Sequence, residues 1–382
     1  MQEQLHYYKN QLFYLAYAMM VFNSTLIKNI NNTLSKTLII IYIGLFILNT
    51  ILKRYNIKEF IILHIGFIIS AIIFIKSREN DILILCIVIL SSSNIDFKKV
   101  VKIDFFLRLI GISITILLCT IGVTQDFIMY RIKDTINLIE IRHSLGFIHP
   151  NTLSVNVFIL LFAYMFLRYK KIKPYEYIFI FLVMYVFGEI TGSRTGVFCT
   201  ALTIIMLNLN KHTKLFSKKT IKFILIYSVA ICTVISLVLT ILYNYNLPVV
   251  NNLNTVLTGR IKSASYFLET YGVSILGQQI KLVSIIQAQQ TYEQLRILDN
   301  LYISLAVRSG ILFLFIYNIL YIRLNKFFVK NNCMDKVIFI TIMTIYGIIE
   351  KVPINPELNF TVVLLGLVIF NAKSNNNKSC TI

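Results

Sequence analysis

The chain reads as an all-α polytopic membrane protein of about twelve transmembrane helices with long loops on one side. Three observations predict this. Of 382 residues, 57% are hydrophobic and only 14% are charged, against about 25% charged in a soluble globular domain. Apolar runs of about 15 to 22 residues recur from end to end, close to what a helix needs to cross a bilayer core of about 30 Å. Gly (14) and Pro (5) are scarce, so little interrupts helix formation. This composition excludes a soluble enzyme and also a disordered chain, which needs low hydrophobicity. The runs are continuous instead of alternating every second residue, which excludes a barrel.

Windowed hydropathy places the spans at about 11–27, 37–52, 60–75, 81–95, 103–123, 151–167, 176–191, 195–210, 221–243, 301–322, 335–351 and 357–371. The fourth is the weakest, because its apolar centre, Ile82 to Leu90, is short for a crossing. Residues 1–371 are thus expected to form one membrane domain, followed by a polar tail, 372–382. The first residues, MQEQLHYYKN, lack the basic start and small-residue cleavage site of a signal peptide, so the first span is expected to remain as an anchor.

The formal net charge is +20. On a soluble chain that would point to nucleic acid. Here the basic residues gather in short loops between apolar runs: Arg168 to Lys173, Lys211 to Lys222, and Arg323 to Lys336. Topology explains them, membrane lipids are the expected surroundings, and no nucleic-acid partner is expected. The positive-inside rule then puts both termini in the cytoplasm. Two long segments, about 124–150 and 244–300, face outward, and loops of this length are usually functional. Cys86, Cys119, Cys199 and Cys232 lie in apolar runs, and no CxxC spacing occurs, so neither a disulfide framework nor a zinc site is indicated.

The polar residues that stand out sit at the outer ends of spans, where free helix N–H groups favour anions. The first group is Arg142-His143-Ser144-Leu145-Gly146-Phe147-Ile148-His149-Pro150-Asn151. Pro150 suits the first turn of span six and forces His149 into an extended conformation at the helix mouth. Gly146 permits a tight turn. The group fits an anion- or sugar-binding loop, and it also fits a plain helix start with interfacial His and Arg. The second is Gly192-Ser193-Arg194-Thr195-Gly196, in which Ser193 is placed to cap span eight. Arg194 is either a functional cation near membrane depth or the partner of Glu189. The third is Thr258-Gly259-Arg260, followed by Tyr266, Phe267 and Tyr271, with Gly277 beyond. Arg can engage a diphosphate bidentately, and aromatic rings can stack on sugars. The plain alternative is an interfacial amphipathic helix. The fourth is Leu298-Asp299-Asn300-Leu301-Tyr302, where Asp299 is an N-cap or a general base. Arg308, about two turns deeper, needs a partner. Arg108 follows Asp104 by four residues, and a local ion pair explains it.

In this order, HSLGFIHPN, TGSRTG, LTGR with a later ILG, and LDNLY running into VRSG make the chain resemble the Wzy-type polysaccharide polymerases of the O-antigen polymerase and ligase superfamily. The matching stretch runs roughly from Arg142 to Gly310. The resemblance implies an enzyme of the bacterial cytoplasmic membrane that joins oligosaccharide repeat units carried on undecaprenyl diphosphate, at the outer face, without metal or cofactor. It also brings a chain-length regulator and a flippase as possible partners. Arg194 and Arg260 match the arginines such enzymes use for the diphosphate, and Arg142 is a third candidate. In the ligase branch a catalytic His stands where this chain has Asp299, which argues against a ligase and makes Asp299 the candidate base.

The chemistry is self-consistent. An attacking sugar hydroxyl must lose a proton, and a carboxylate can take it. Negative charge builds on the leaving diphosphate, and pre-placed arginines stabilise it. Asp299, Arg194 and Arg260 are therefore expected to be catalytic, and Arg142, His149, Asn151, Asn300 and Arg308 to bind substrate. The alternatives are a ligase-like glycan transferase and a transporter such as a lipid-linked oligosaccharide flippase. The transporter predicts internal repeats and midplane charge, whereas no repeat is seen and the polar residues gather at one face.

Overall fold

A computed structural model of the chain describes residues 2–133, 138–283, 287, 291 and 293–370. It is mostly helical. The expected tail at 372–382, and part of the expected loop at 244–300, lie outside the described residues. Among the described residues six helices are long and apolar enough to cross a membrane: α2 (Asn32–Ile51), α3 (Ile57–Ser77), α5 (Phe97–Thr120), α6 (Pro150–Arg168), α7 (Pro174–Thr191) and α14 (Ile311–Lys330). A seventh arises if α9 (Lys219–Ile226) and α10 (Ser228–Tyr243), bent by 64°, count as one span. Large apolar side chains such as Ile40, Ile57, Phe179 and Phe198 point outward, as a lipid solvent requires.

The remaining helices are α1 (Gln2–Phe22), α4 (Asn80–Ser91), α8 (Arg194–His212), α11 (Pro248–Val256), α12 (Arg260–Tyr271), α13 (Leu301–Ser304), α15 (Met334–Ile349) and α16 (Leu365–Ile369). Helix α1 runs on through a wider π turn at Asn23–Ile27 to Ile30. With only 12 residues, α4 bears out the weakness of the fourth expected span. Caps set several starts. Asn56 and Glu59 form a reciprocal capping box on α3, and Asn31 caps α2.

At the centre, α6 is buried nearly all round. It packs on α15 through stacked Phe158 and Tyr346, with ring centroids 5.2 Å apart, and through edge-on Phe162 and Phe339 at 4.6 Å.

Three expectations are corrected. The run 301–322 is not one continuous helix. Short α13 passes into a π turn, Leu305–Ser309, which ends at Gly310 (φ +100°), and the long apolar helix starts only at Ile311. The loop after α12 fills the break. Ser274 O accepts from Ile311 N at 2.8 Å, and Gln278 N donates to Arg308 O at 2.9 Å. A Cβ on Gly310 would overlap the Ile275 carbonyl oxygen, and one on Gly277 would lie 2.8 Å from Arg308 O. These two glycines therefore permit the close crossing. The run 357–371 is likewise not a regular span. After α15 the chain turns inward through Val352–Ile354, where Pro353 and Pro356 prevent helix continuation, and regains helix only over Phe360–Leu364 and α16. Finally, Cys333 is held in a disulfide, whereas Cys86, Cys119, Cys199 and Cys232 are free.

The expected outer loop at 124–150 contains a two-stranded antiparallel hairpin, β1 (Met129–Lys133) and β2 (Leu138–Arg142), with Met129 opposite Arg142. It adds a small β element to an otherwise helical fold. Asp126 anchors the following turn. It accepts from the backbone N–H groups of Ser144 and Leu145 at 2.8 and 2.9 Å and pairs with His143 Nδ1 at 2.6 Å. Burial raises its carboxyl, but these bonds outweigh that effect and lower it below the ordinary range.

Inside the helices lies a buried polar knot. Arg108 pairs with Asp104 through two bonds of 2.8 Å, as its spacing predicts. It also donates to Asn156 Oδ1 and, at 2.7 Å, to the Glu357 carbonyl. Tyr17 reaches Asp104 Oδ2 at 2.8 Å, and Tyr42 reaches Glu357 Oε1 at 2.9 Å. Arg108 thereby ties the irregular segment after α15 to α5 and α6.

Candidate functional site

Four segments far apart in the chain meet at one end of the helix bundle: the turn before α6, the turn between α7 and α8, the start of α12, and the segment Leu298–Asn300 before α13. The fifth contributor is the end of α15, in the expected span 335–351, where the sequence reading singled out no site residue.

At the start of α6, Pro150 occupies the first turn and His149 is extended (φ −152°, ψ 143°), as predicted. His149 Nδ1 accepts from Asn151 N at 3.0 Å, so His149 is the N-cap. Burial, with the nearby Arg142 cation, pushes its imidazole from 6.5 down to about 4. It is neutral at pH 7, as that acceptor role needs. Arg142 donates from Nε to Thr191 O at 2.7 Å and from a terminal nitrogen to Asn151 Oδ1. It thus joins the end of α7 to the start of α6 and packs under Gly192 (φ +62°), where a Cβ would lie 2.7 Å from Arg142 Nε.

Arg260 is the hub. Its Nη2 donates to Glu350 Oε1 at 2.9 Å, its Nη1 to Thr258 Oγ1 at 3.0 Å, and its Nε faces Asp299 Oδ2 at 3.4 Å. Thr195 Oγ1 reaches the same Glu350 oxygen at 3.4 Å, which brings the start of α8 to the hub. Gly259 (φ +82°) precedes α12 in a conformation that suits glycine.

Which residue caps α13 is decided by the neighbour of Asp299. Asn300 is the N-cap of α13: its Oδ1 accepts from Ile303 N at 3.0 Å, and its Nδ2 donates to Ser236 Oγ and Ile348 O. Asn300 is therefore a buried structural residue, and the Asp299 side chain, 38% exposed, is released from capping. Burial raises the Asp299 carboxyl above its ordinary range, and the Arg260 and Lys351 cations offset part of the rise.

Asp299 and Arg260 line a cavity of about 370 Å³ with Lys262, Tyr266, Gln294 and Arg296. The Arg296 guanidinium lies over the Tyr266 ring, 5.4 Å from its centroid. Three cations, one carboxylate and an aromatic face converge here, a set suited to an anionic sugar derivative. Arg194 lies elsewhere. It is exposed at the first turn of α8 and lines a second cavity of about 360 Å³ with Glu140, Tyr185 and Glu189. No ion pair joins Arg194 to Glu189, and the Ser193 side chain does not cap α8. The two cavities are linked through neighbouring contacts: Thr195, beside Arg194, reaches Glu350, which holds Arg260, and Gly192 lies against Arg142.

The partner Arg308 required is Glu79, from the turn between α3 and α4. Arg308 Nη1 lies 3.0 Å and Lys351 Nζ 2.6 Å from Glu79 Oε1, and Lys351 also reaches Asp81 at 3.4 Å. Among the described residues no group of three or more His, Cys, Asp and Glu side chains converges in the way a metal ion requires. Glu79, Glu350 and Lys351 were not singled out in the sequence. The one signal available was a Glu-Lys pair ending an apolar run just before a proline. No family model, curated protein or solved structure matches this chain.

Proposed function

We propose that the protein is a membrane glycosyltransferase that joins diphosphate-lipid-linked oligosaccharide units by an inverting displacement, in a membrane domain of about twelve crossings whose active face is the outer one. The observation that carries this reading is the cavity that holds Arg260 and Asp299 together. Asp299, freed from capping by Asn300, is the base that takes the proton of the attacking sugar hydroxyl. Arg260, with Lys262 and Arg296 around it, receives the negative charge that builds on the departing diphosphate. The hydroxyl oxygen forms the new bond to the anomeric carbon as the bond to the diphosphate breaks. One carboxylate suffices, because a diphosphate leaves without a strong acid.

The motif order resembling the Wzy-type polymerases favours repeat-unit polymerisation. Asp299, at the position where the ligase branch has His, favours it over attachment to another acceptor. Arg142 and His149 shape the start of α6, and Arg194 lies in the adjoining cavity, where it is suited to contact the second substrate. The test is in vitro: purified protein with a synthetic lipid-linked repeat unit. Ladders of increasing length are expected. Unextended single units with wild-type protein would refute polymerisation, and translocation of intact units between leaflets would favour a flippase.

A further inference from the structure

We infer a second anionic-lipid site, separate from the Arg260–Asp299 cavity, in which an apolar groove between α3, α4 and α14 takes one polyisoprenoid chain and Arg308 with Lys351 takes its diphosphate head. The inference rests on the reading above, in which two lipid-linked substrates, the growing chain and the incoming unit, must be bound at once.

The groove has a volume of about 230 Å³ and an almost wholly apolar lining that includes Ile65, Leu85, Leu90, Phe313, Leu320 and Ile369. Its charged end follows from the chain itself. Leu85 stands one helical turn along α4 from Asp81, and Phe313 stands five residues beyond Arg308. The end of the groove at Leu85 and Phe313 therefore lies about one to two helical turns from the cluster in which Glu79 bridges Arg308 and Lys351.

That cluster has the form of an anion site filled by a side chain. One carboxylate, buried and 5% exposed, takes Arg308, Lys351 and, at 3.4 Å, the Ser309 hydroxyl. Arg308 Nε is buried without an acceptor. A diphosphate offers more oxygens than a carboxylate and would satisfy Nε together with Nη1. Lys351 directly follows Glu350, the residue that holds Arg260, so the two cationic sites share one short segment. A groove of about 230 Å³ suits a one-chain isoprenoid better than a two-chain phospholipid.

The test counts lipids bound to the purified full-length protein by native mass spectrometry, using a sugar-free long-chain polyprenyl diphosphate as the probe. Wild type is expected to bind two. Gly66→Ile adds a side chain in the groove, where a Cβ meets only the Leu90 methyls at 3.8 Å, and it should bind one. Leu320→Phe is a second plug, should Gly66→Ile not fold. Arg308→Gln should weaken the second binding event about tenfold. Glu79→Gln should strengthen it by about three- to tenfold, because the competing carboxylate is gone. Arg260→Gln should weaken only the other event. A single bound lipid in wild type would overturn the inference. So would two lipids in both plugged variants, or equal displacement of the second lipid by phosphatidylglycerol. Two bound lipids with no sugar transfer would instead overturn the proposed reaction and leave this site standing.

Discussion

Glu350 carries the most specific consequence of the site geometry. Its Oε1 takes Arg260 Nη2 at 2.9 Å and Thr195 Oγ1 at 3.4 Å, while Arg260 Nε faces Asp299 at 3.4 Å. Glu350 thus fixes the plane of the guanidinium that faces the cavity. Glu350→Gln keeps an oxygen acceptor and removes the charge. A charge-assisted hydrogen bond contributes about 1.5–3 kcal/mol and a neutral one about 1 kcal/mol, so about 0.5–2 kcal/mol is lost. At about 1.4 kcal/mol per factor of ten, kcat/KM should fall roughly two- to thirtyfold. Glu350→Ala removes the acceptor as well and leaves Arg260 tethered only to Thr258 and Asp299. Misplacing a positioned group by about 1 Å costs on the order of a hundredfold. The assay is the initial rate of joining synthetic lipid-linked units in detergent, with kcat and KM resolved separately. In the proposed reaction Arg260 is needed most as charge develops on the leaving group, so kcat should fall more than KM rises. Near-wild-type rates for both variants, or an effect confined to KM, would refute the assignment.

The buried Arg108–Asp104 pair should behave as a structural clamp. Asp104→Leu alone strands a fully buried guanidinium and should cost about 3–5 kcal/mol, whereas adding Arg108→Met should restore most of it. Thermal unfolding of the two variants in detergent checks this, and equal loss in both would contradict it. His149 predicts a pH dependence. Its folded-state value, about 4, lies below its ordinary 6.5, so the unfolded chain binds more protons between those values. The stability from its cap is complete above pH 6.5 and is lost as the pH falls toward 4. His149→Asn, which keeps a cap acceptor, should flatten that slope in melting curves, and an unchanged slope would remove His149 as its source. Gly310→Ala should destabilise strongly, by roughly 2–4 kcal/mol, because φ is +100° and the added Cβ overlaps the Ile275 carbonyl. Unaltered melting would show that the loop does not cross there.

Much of the fold was legible because hydrocarbon imposes one demand over a fixed length. Runs such as 151–167 and 176–191 are nearly coextensive with α6 and α7. Failures came where irregular backbone is buried in protein instead of lipid. Leu301 to Ser309 is as apolar as a span, yet the helix breaks at Gly310 because the neighbouring loop satisfies the freed groups: the Ser274 and Ile275 carbonyls accept from Ile311 and Leu312 N–H, and Gln278 N–H donates to the Arg308 carbonyl. In the segment after Glu350, Pro353 and Pro356 interrupt the helix before it can resume. At the site, Pro150 and Gly259 disclosed their helix starts through local conformational rules. The contest between Asp299 and Asn300 for the cap could not be read locally, since both are good caps. It is settled by the bonds Asn300 makes to Ser236 and Ile348 from distant helices. Glu79, Glu350 and Lys351 matter only through contacts spanning tens to hundreds of residues, which no local pattern encodes.

The central claim is that the Asp299 carboxylate accepts the proton of the attacking hydroxyl inside the cavity it shares with Arg260. Its direct test is the pH–rate profile of sugar joining by wild type and Asp299→Asn, under conditions where lipid binding is verified for both. The account predicts a wild-type acid limb above the ordinary carboxylate range, with rate rising as pH rises through it. For Asp299→Asn it predicts a rate about 10²–10⁴-fold lower, with the limb abolished. An Asn variant that joins units at the wild-type rate with the same acid limb would contradict it.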